Sequence, residues 1–126
     1  IFICTDSKQA EMVKYLANTF LATKVSFANE MKVICDKLNI SYNKVVEYAC
    51  YDDRLGNSHW SVPGPDGKLG FGGSCFPKDI NALIKTASEL GLDAKILKSV
   101  WETNLKARPE KDWKKLKGRA VSYNND

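Results

Sequence analysis

Little in the 126 residues points to a membrane, a metal or a secreted scaffold. No apolar run approaches the ~20 residues that a membrane-spanning helix needs, so no membrane partner is expected. The start, IFICTDSKQ, lacks a basic region followed by an apolar stretch, and no secretory leader is read there. There is one histidine, His59, and four cysteines, Cys4, Cys35, Cys50 and Cys75, with no C-x-x-C among them. That spacing does not suit a zinc site, so no metal is expected. Unpaired cysteines of this kind read as reduced thiols, and a cytoplasmic location follows as the expectation. Internal repeats and low-complexity tracts are also missing.

What is present fits one globular domain. Hydrophobic residues make up 44% of the chain, enough for a core, and disorder is not expected. The net charge of +4 is concentrated. Residues 106–119 hold seven cations (Lys106, Arg108, Lys111, Lys114, Lys115, Lys117 and Arg119) against Glu110 and Asp112, a local +5. The remaining 112 residues sum to −1. Aromatic residues do not interleave with these cations as in base-stacking platforms, so a solvated basic face is expected rather than a nucleic-acid site.

Periodicity predicts an all-α fold with one long functional loop. A helix capped by Asp6 or Ser7 runs to about Asn39 without proline or glycine, with Val13, Leu16, Phe20, Phe27, Met31, Ile34 and Leu38 among its apolar positions. It is apolar on more than one side, which predicts cover from other helices, including those of a second subunit. Ser41 caps a shorter helix. Tyr51 to Cys75 then forms a loop holding six of the eight glycines and two of the four prolines. A connection of that length is more often functional than ornamental. Pro77 is expected as the first residue of the next helix, which Gly91 ends. A last helix spans about Ala94 to Lys106, stopped by Arg108-Pro109. IFIC at the start and AV in the tail read as strand fragments.

The chemistry centres on GFGGSCFPKD, residues 70–79. Cys75 falls at a helix N-terminus, where free backbone N–H groups and the helix dipole favour a thiolate, with Lys78 nearby. Asp79 follows one turn later on the same face. A thiolate, a carboxylate and a bare glycine backbone together suit covalent catalysis at a carbonyl. Lys14 and Asn18, four apart on the long helix, form a cation–amide pair able to hold an oxyanion. Alone, that pair is as readily a solvated face.

The stretches AEMVKYLANTFLATKVSFANE, YDDRLG and PGPDGKLGFGGSCFPKD resemble, in order, the central region of the nucleotide-sugar 6-dehydrogenases, the UDP-glucose and GDP-mannose dehydrogenases. The resemblance runs from about Ala10 to Asn104, and the wording of the third stretch is most similar to the UDP-glucose branch. It implies an all-α dimerisation domain, similar to the C-terminal domain of 6-phosphogluconate dehydrogenase, set between two Rossmann-type domains. It further implies an NAD-dependent double oxidation of a sugar CH2OH to a carboxylate, a step of polysaccharide biosynthesis.

By this resemblance Cys75 is the nucleophile that forms a thiohemiacetal and then a thioester. Lys14 and Asn18 hold the oxyanion, Lys14 also touching substrate, and Asp79 positions water. Lys78 contacts the cofactor, while Gly72 and the loop around Lys68 contact the sugar nucleotide. Arg54 reaches substrate bound in the other subunit of a homodimer. Residues 1–6 are read as a remnant of a nucleotide-binding domain, 7–108 as the central domain, and 109–126 as a basic tail opening a UDP-binding domain. No G-x-G-x-x-G follows a strand, so the NAD fingerprint is not in these residues. The chain alone is therefore expected to be inactive, or to work with a separate Rossmann-domain chain. Two other readings stand beside this one: a non-catalytic homodimerisation module, and a basic interaction domain using residues 106–119.

Overall fold

The computed structural model describes residues 6–116, and four α-helices carry the fold: α1 (Ser7–Lys37), α2 (Tyr42–Ala49), α3 (Cys75–Glu89) and α4 (Lys95–Ala107). Two short 3-10 turns, Asp53–Leu55 and Asp112–Leu116, complete it. No strand occurs among the described residues, in line with the all-α expectation. The IFIC and AV fragments, and most of the terminal segments 1–6 and 109–126, lie outside them.

α1 is long because nothing in its 31 residues breaks it. At 1.5 Å per residue it spans roughly 46 Å. Asp6, not Ser7, supplies the cap, its carboxylate accepting from Gln9 N–H at 2.8 Å. The far end closes on Asn39, whose φ of 59° is left-handed. Ile40 N–H then returns to Cys35 O and Asn39 N–H to Asp36 O, so the helix ends at Lys37, two residues before the sequence boundary. α3 ends the same way at Gly91, with Leu92 N–H on Ala87 O.

The start of α3 differs from expectation. Cys75 is itself the first helical residue, and Pro77 is the third. The first few N–H groups of a helix have no intrahelical acceptor, so a residue without an N–H fits there as well as at the first position. The loop is also not wholly irregular, because Asp52 accepts from Arg54 N–H and starts the first 3-10 turn.

α1 is the spine. α3 and α4 pack on it and on each other, and α2 packs near its C-terminal end. Ala22, Phe71, Ile80, Val100, Trp101 and Trp113 form the main core. Close approach of α1 and α4 is fixed by Ser26, whose hydroxyl donates to Val100 O at 3.0 Å. A second cluster, Ala28, Cys35, Tyr42 and Val62, seats α2 and the early loop on α1. Not all of the apolar surface of α1 is used. Val13, Leu16, Phe20 and Phe27 recur at helical spacing and each is more than half exposed.

Candidate functional site

Asp79 gathers the predicted polar residues. It lies one turn into α3 and is 1% exposed. Asn18 Nδ2 of α1 donates to its Oδ2 at 2.6 Å, and Lys14 Nζ stands 3.7 Å from its Oδ1. Among the described residues, Oδ1 accepts no hydrogen bond. Packing of α3 across α1 therefore brings Lys14, Asn18 and Asp79, 61 residues apart in sequence for the Asn18–Asp79 pair, to one point. Asn18 is thus not a free solvated amide, whereas Lys14 stays 56% exposed and meets Asp79 only as a loose ion pair. An amide carries two N–H donors and an ammonium three, so neither is exhausted by Asp79.

Cys75 opens the same helix, four residues before Asp79 and so on its side of α3. The thiol is exposed, with Sγ 3.9 Å from Ser74 Oγ. Cys35 is buried and Cys50 half-buried, both as free thiols. Cys75 is the one of these three placed at a helix start.

The glycine-rich loop reaches Cys75 in a fixed shape, held by residues that the sequence reading did not single out. Asn104, fully buried on α4, grips both sides of Phe71: Oδ1 accepts from its N–H at 2.7 Å and Nδ2 donates to its carbonyl at 2.9 Å. Asn29 Oδ1 accepts from Gly70 N–H at 3.0 Å. Gly70 has φ +67°, and a Cβ there would run into Asn104 Oδ1, so both backbone and space require glycine.

Arg108 is 1% exposed, which corrects its expected place in a solvated basic face. Its Nε donates to Leu69 O at 2.8 Å and its Nη2 to Gly70 O at 3.2 Å. Asp66 Oδ2 lies 2.8 Å from Nη2 and Asp112 Oδ2 lies 3.1 Å from Nη1. Two carboxylates and two carbonyls are what make such a buried guanidinium tolerable. Burial pushes the Asp66 carboxyl upward, but hydrogen bonds from Lys68 N–H and Arg108 outweigh it and hold the group below its ordinary value. A Cβ on Gly72 would strike Arg108 Nη1 and the Asp112 carboxylate, so Gly72 is glycine for internal reasons as well. A cavity of about 400 Å³ opens here, bordered by His59, Asp66, Phe71, Gly72, Phe76 and Arg108.

The remaining predicted residues are not drawn into this cluster. Lys68 and Lys78 are exposed. Arg54 is 88% exposed and its guanidinium folds onto Asp52 at 2.6 Å, which keeps the Asp52 carboxyl below its usual range. The turn bearing Arg54 is anchored from α1, because buried Lys24 donates to Leu55 O at 3.0 Å and lies 4.9 Å from the Trp60 ring centroid. Tyr42 donates to Trp60 O at 2.6 Å and fixes the other side of that segment. Burial, followed by the neighbouring Cys35 and Cys50, pushes the Tyr42 phenol up to about 12.

The sequence held one signal for the missed anchors. Asn104 lies three and four positions after Trp101 and Val100 on an apolar face, and Arg108 lies four after Asn104. Polar side chains on a buried stripe must be paired.

Known proteins resemble this chain in sequence and in fold. Residues 8–106 fit the profile of the UDP-glucose/GDP-mannose dehydrogenase family, central domain. UDP-glucose 6-dehydrogenase TuaD of Bacillus subtilis is 42% identical over 106 residues, covering 84% of this chain and 22% of that protein. The UDP-glucose 6-dehydrogenase of Rickettsia prowazekii is 43% identical over 108 residues, 86% of this chain and 24% of its own length. A UDP-glucose dehydrogenase structure from the archaeon Pyrobaculum islandicum superposes with a TM-score of 0.70 at 42% identity, over 78% of this chain and 22% of the other. The chain thus spans about a quarter or less of these relatives. With the match covering most of its residues in both sequence and helical architecture, the chain belongs to the UDP-glucose/GDP-mannose dehydrogenase family and corresponds to its central domain.

Proposed function

We propose that this chain is the catalytic-cysteine domain of an NAD-dependent nucleotide-sugar 6-dehydrogenase that oxidises UDP-glucose to UDP-glucuronate. The carrying observation is buried Asp79, holding Asn18 at 2.6 Å and Lys14 at 3.7 Å one helical turn beyond Cys75. Cys75 thiolate adds to the carbon of the C6 aldehyde, and the carbonyl electron pair becomes an oxyanion facing the spare donors of Lys14 and Asn18. Loss of a hydride from that carbon turns the thiohemiacetal into a thioester. Water held by Asp79 then attacks the thioester carbon and the C–S bond breaks, releasing the carboxylate and the Cys75 thiolate while the two water protons pass by way of the Asp79 carboxylate to solvent. The cavity beside Gly72 is of a size for part of a sugar nucleotide. Arg54, exposed and tethered only locally, is free to serve a site in a second subunit.

Dehydrogenases of this family are NAD-dependent, and NAD+ supplies the hydride acceptor for both oxidations. The described residues do not form a dinucleotide cradle. Their glycine-rich stretch enters α3 from a loop and not from a strand, so the cofactor contact proposed for this chain is confined to Lys78.

The test is a chimera in which this chain replaces the matching 106-residue segment of TuaD. UDP-glucose-dependent NADH formation is expected, and Cys75→Ser should abolish it. A chimera that folds and binds NAD but yields no NADH refutes the reading. The 126 residues alone should give none. Assembly as a homodimer is part of the proposal, supported by exposed Val13, Leu16, Phe20 and Phe27 on α1. Sedimentation should show twice 14.1 kDa, reduced to the monomer by Phe20→Glu. A dimer without activity in the chimera would favour the non-catalytic module instead. The basic-interaction reading loses support, because Arg108 is buried and its charge is neutralised within the chain.

A further inference from the structure

We infer that Arg108 is a positioning residue for the reaction: its guanidinium fork, with Asn104 beside it, sets the backbone of residues 69–72 that leads into Cys75, and Asp66 is its loop-borne counter-ion. The catalytic meaning rests on the dehydrogenase reading, but the mechanical part does not. Nε and Nη2 take the carbonyls of two successive residues, Leu69 and Gly70, at 2.8 and 3.2 Å. Two successive carbonyls face one planar fork because Gly70 is left-handed, with φ +67°. Asn104 holds the next residue by both N–H and C=O. Gly72 then passes so close to Nη1 that no side chain fits between. Four consecutive residues, 69–72, are thereby placed from α4 and its end, and only Gly73 and Ser74 separate them from Cys75.

A filler of that space would be apolar, since burying a charge among carboxylates is no cheaper than packing hydrocarbon. What arginine adds is a rigid, forked set of donors. Lysine offers one point charge on a flexible stem and cannot reach Leu69 O, Gly70 O, Asp66 and Asp112 together. Asp66 is half-exposed, so its contact can be removed without opening the core.

Amide hydrogen exchange of the 126-residue chain tests this, comparing wild type, Arg108→Lys and Asp66→Asn. The hydrogen-bonded amides of Gly70 and Phe71 should be slow in the wild type. In Arg108→Lys they should exchange about tenfold faster or more, while peptides from α2 and the C-terminal half of α3 stay unchanged. Asp66→Asn should speed the same two amides by roughly threefold at low salt. Unchanged loop exchange in Arg108→Lys shows that charge alone suffices and overturns the inference. An equal rise in every peptide reduces Arg108 to a general stabiliser and also overturns it. If Arg108→Lys does not fold, Asp66→Asn decides, and no change there overturns the inference. In the TuaD chimera, Arg108→Lys should lower kcat about tenfold with the KM for NAD unaltered. Exchange is read without substrate. A static loop in Arg108→Lys therefore refutes this inference whatever the chimera does. An inactive wild-type chimera whose loop still loosens in Arg108→Lys refutes the dehydrogenase reading and supports the clamp.

Discussion

Truncating Asn104 to alanine removes the acceptor for Phe71 N–H and the donor for Phe71 O, at 2.7 and 2.9 Å, from a site with no solvent exposure. A buried polar group left unpaired costs about 1–3 kcal/mol, so the two together predict a loss of about 3–5 kcal/mol once the emptied volume is included. Domains of this size hold only about 5–15 kcal/mol in total. The melting temperature should fall by at least ~10 °C, given roughly 4–8 °C per kcal/mol in domains of comparable length. Urea unfolding followed by circular dichroism measures the loss, with the slope expected to stay constant. Asn104→Leu sharpens the test. It nearly keeps the side-chain shape, so if Asn104 served only to fill space this variant would be close to neutral. The hydrogen-bond argument predicts a loss similar to that of alanine. A change below ~1 kcal/mol in either variant would refute the reasoning, because the Phe71 backbone would then have found other partners.

Other outcomes follow from exposure and ionisation. Cys75 is exposed and begins a helix, whereas Cys35 is 2% exposed. Iodoacetamide at neutral pH should therefore modify Cys75 at least ~10-fold faster by peptide mapping, and equal rates would refute its placement. For Tyr42 the folded value is raised, so its contribution to stability is complete below the ordinary value of 10 and is lost as pH climbs through about 12. Absorbance titration should show a late-ionising tyrosine that disappears in Tyr42→Phe, and its persistence would assign it elsewhere. Asp79→Leu in the TuaD chimera should abolish NADH formation. Retained turnover would remove Asp79 from the proposed chemistry.

The helices were legible because each has a local cause: unbroken apolar spacing in α1, Ser41 before α2, Gly91 after α3 and Arg108-Pro109 after α4. Lys14, Asn18 and Asp79 were legible as two separate helix faces. Their meeting depends on how α3 crosses α1, which spacing along the chain does not encode. Arg108 was misread because a cation among six others looks solvated, and only the fold shows Asp66 returning to it from 42 positions earlier. Pro77 was misplaced by two residues because the first three positions of a helix are equally tolerant of a missing N–H. Asn29 and Asn104 are hard to single out, since an amide by itself does not say whether it faces water or a neighbouring main chain; for Asn104 only its place on the Val100–Trp101 stripe does.

α1 carries two kinds of surface on the same few turns: Lys14 and Asn18 point toward α3, while Val13, Leu16 and Phe20 stand bare beside them. In the proposed homodimer a second copy would cover those bare side chains within a turn of the ammonium, so that its packing bears on how Lys14 meets its carboxylate. Substitutions that weaken that proposed association should then register as chemical defects even though they touch no reacting atom.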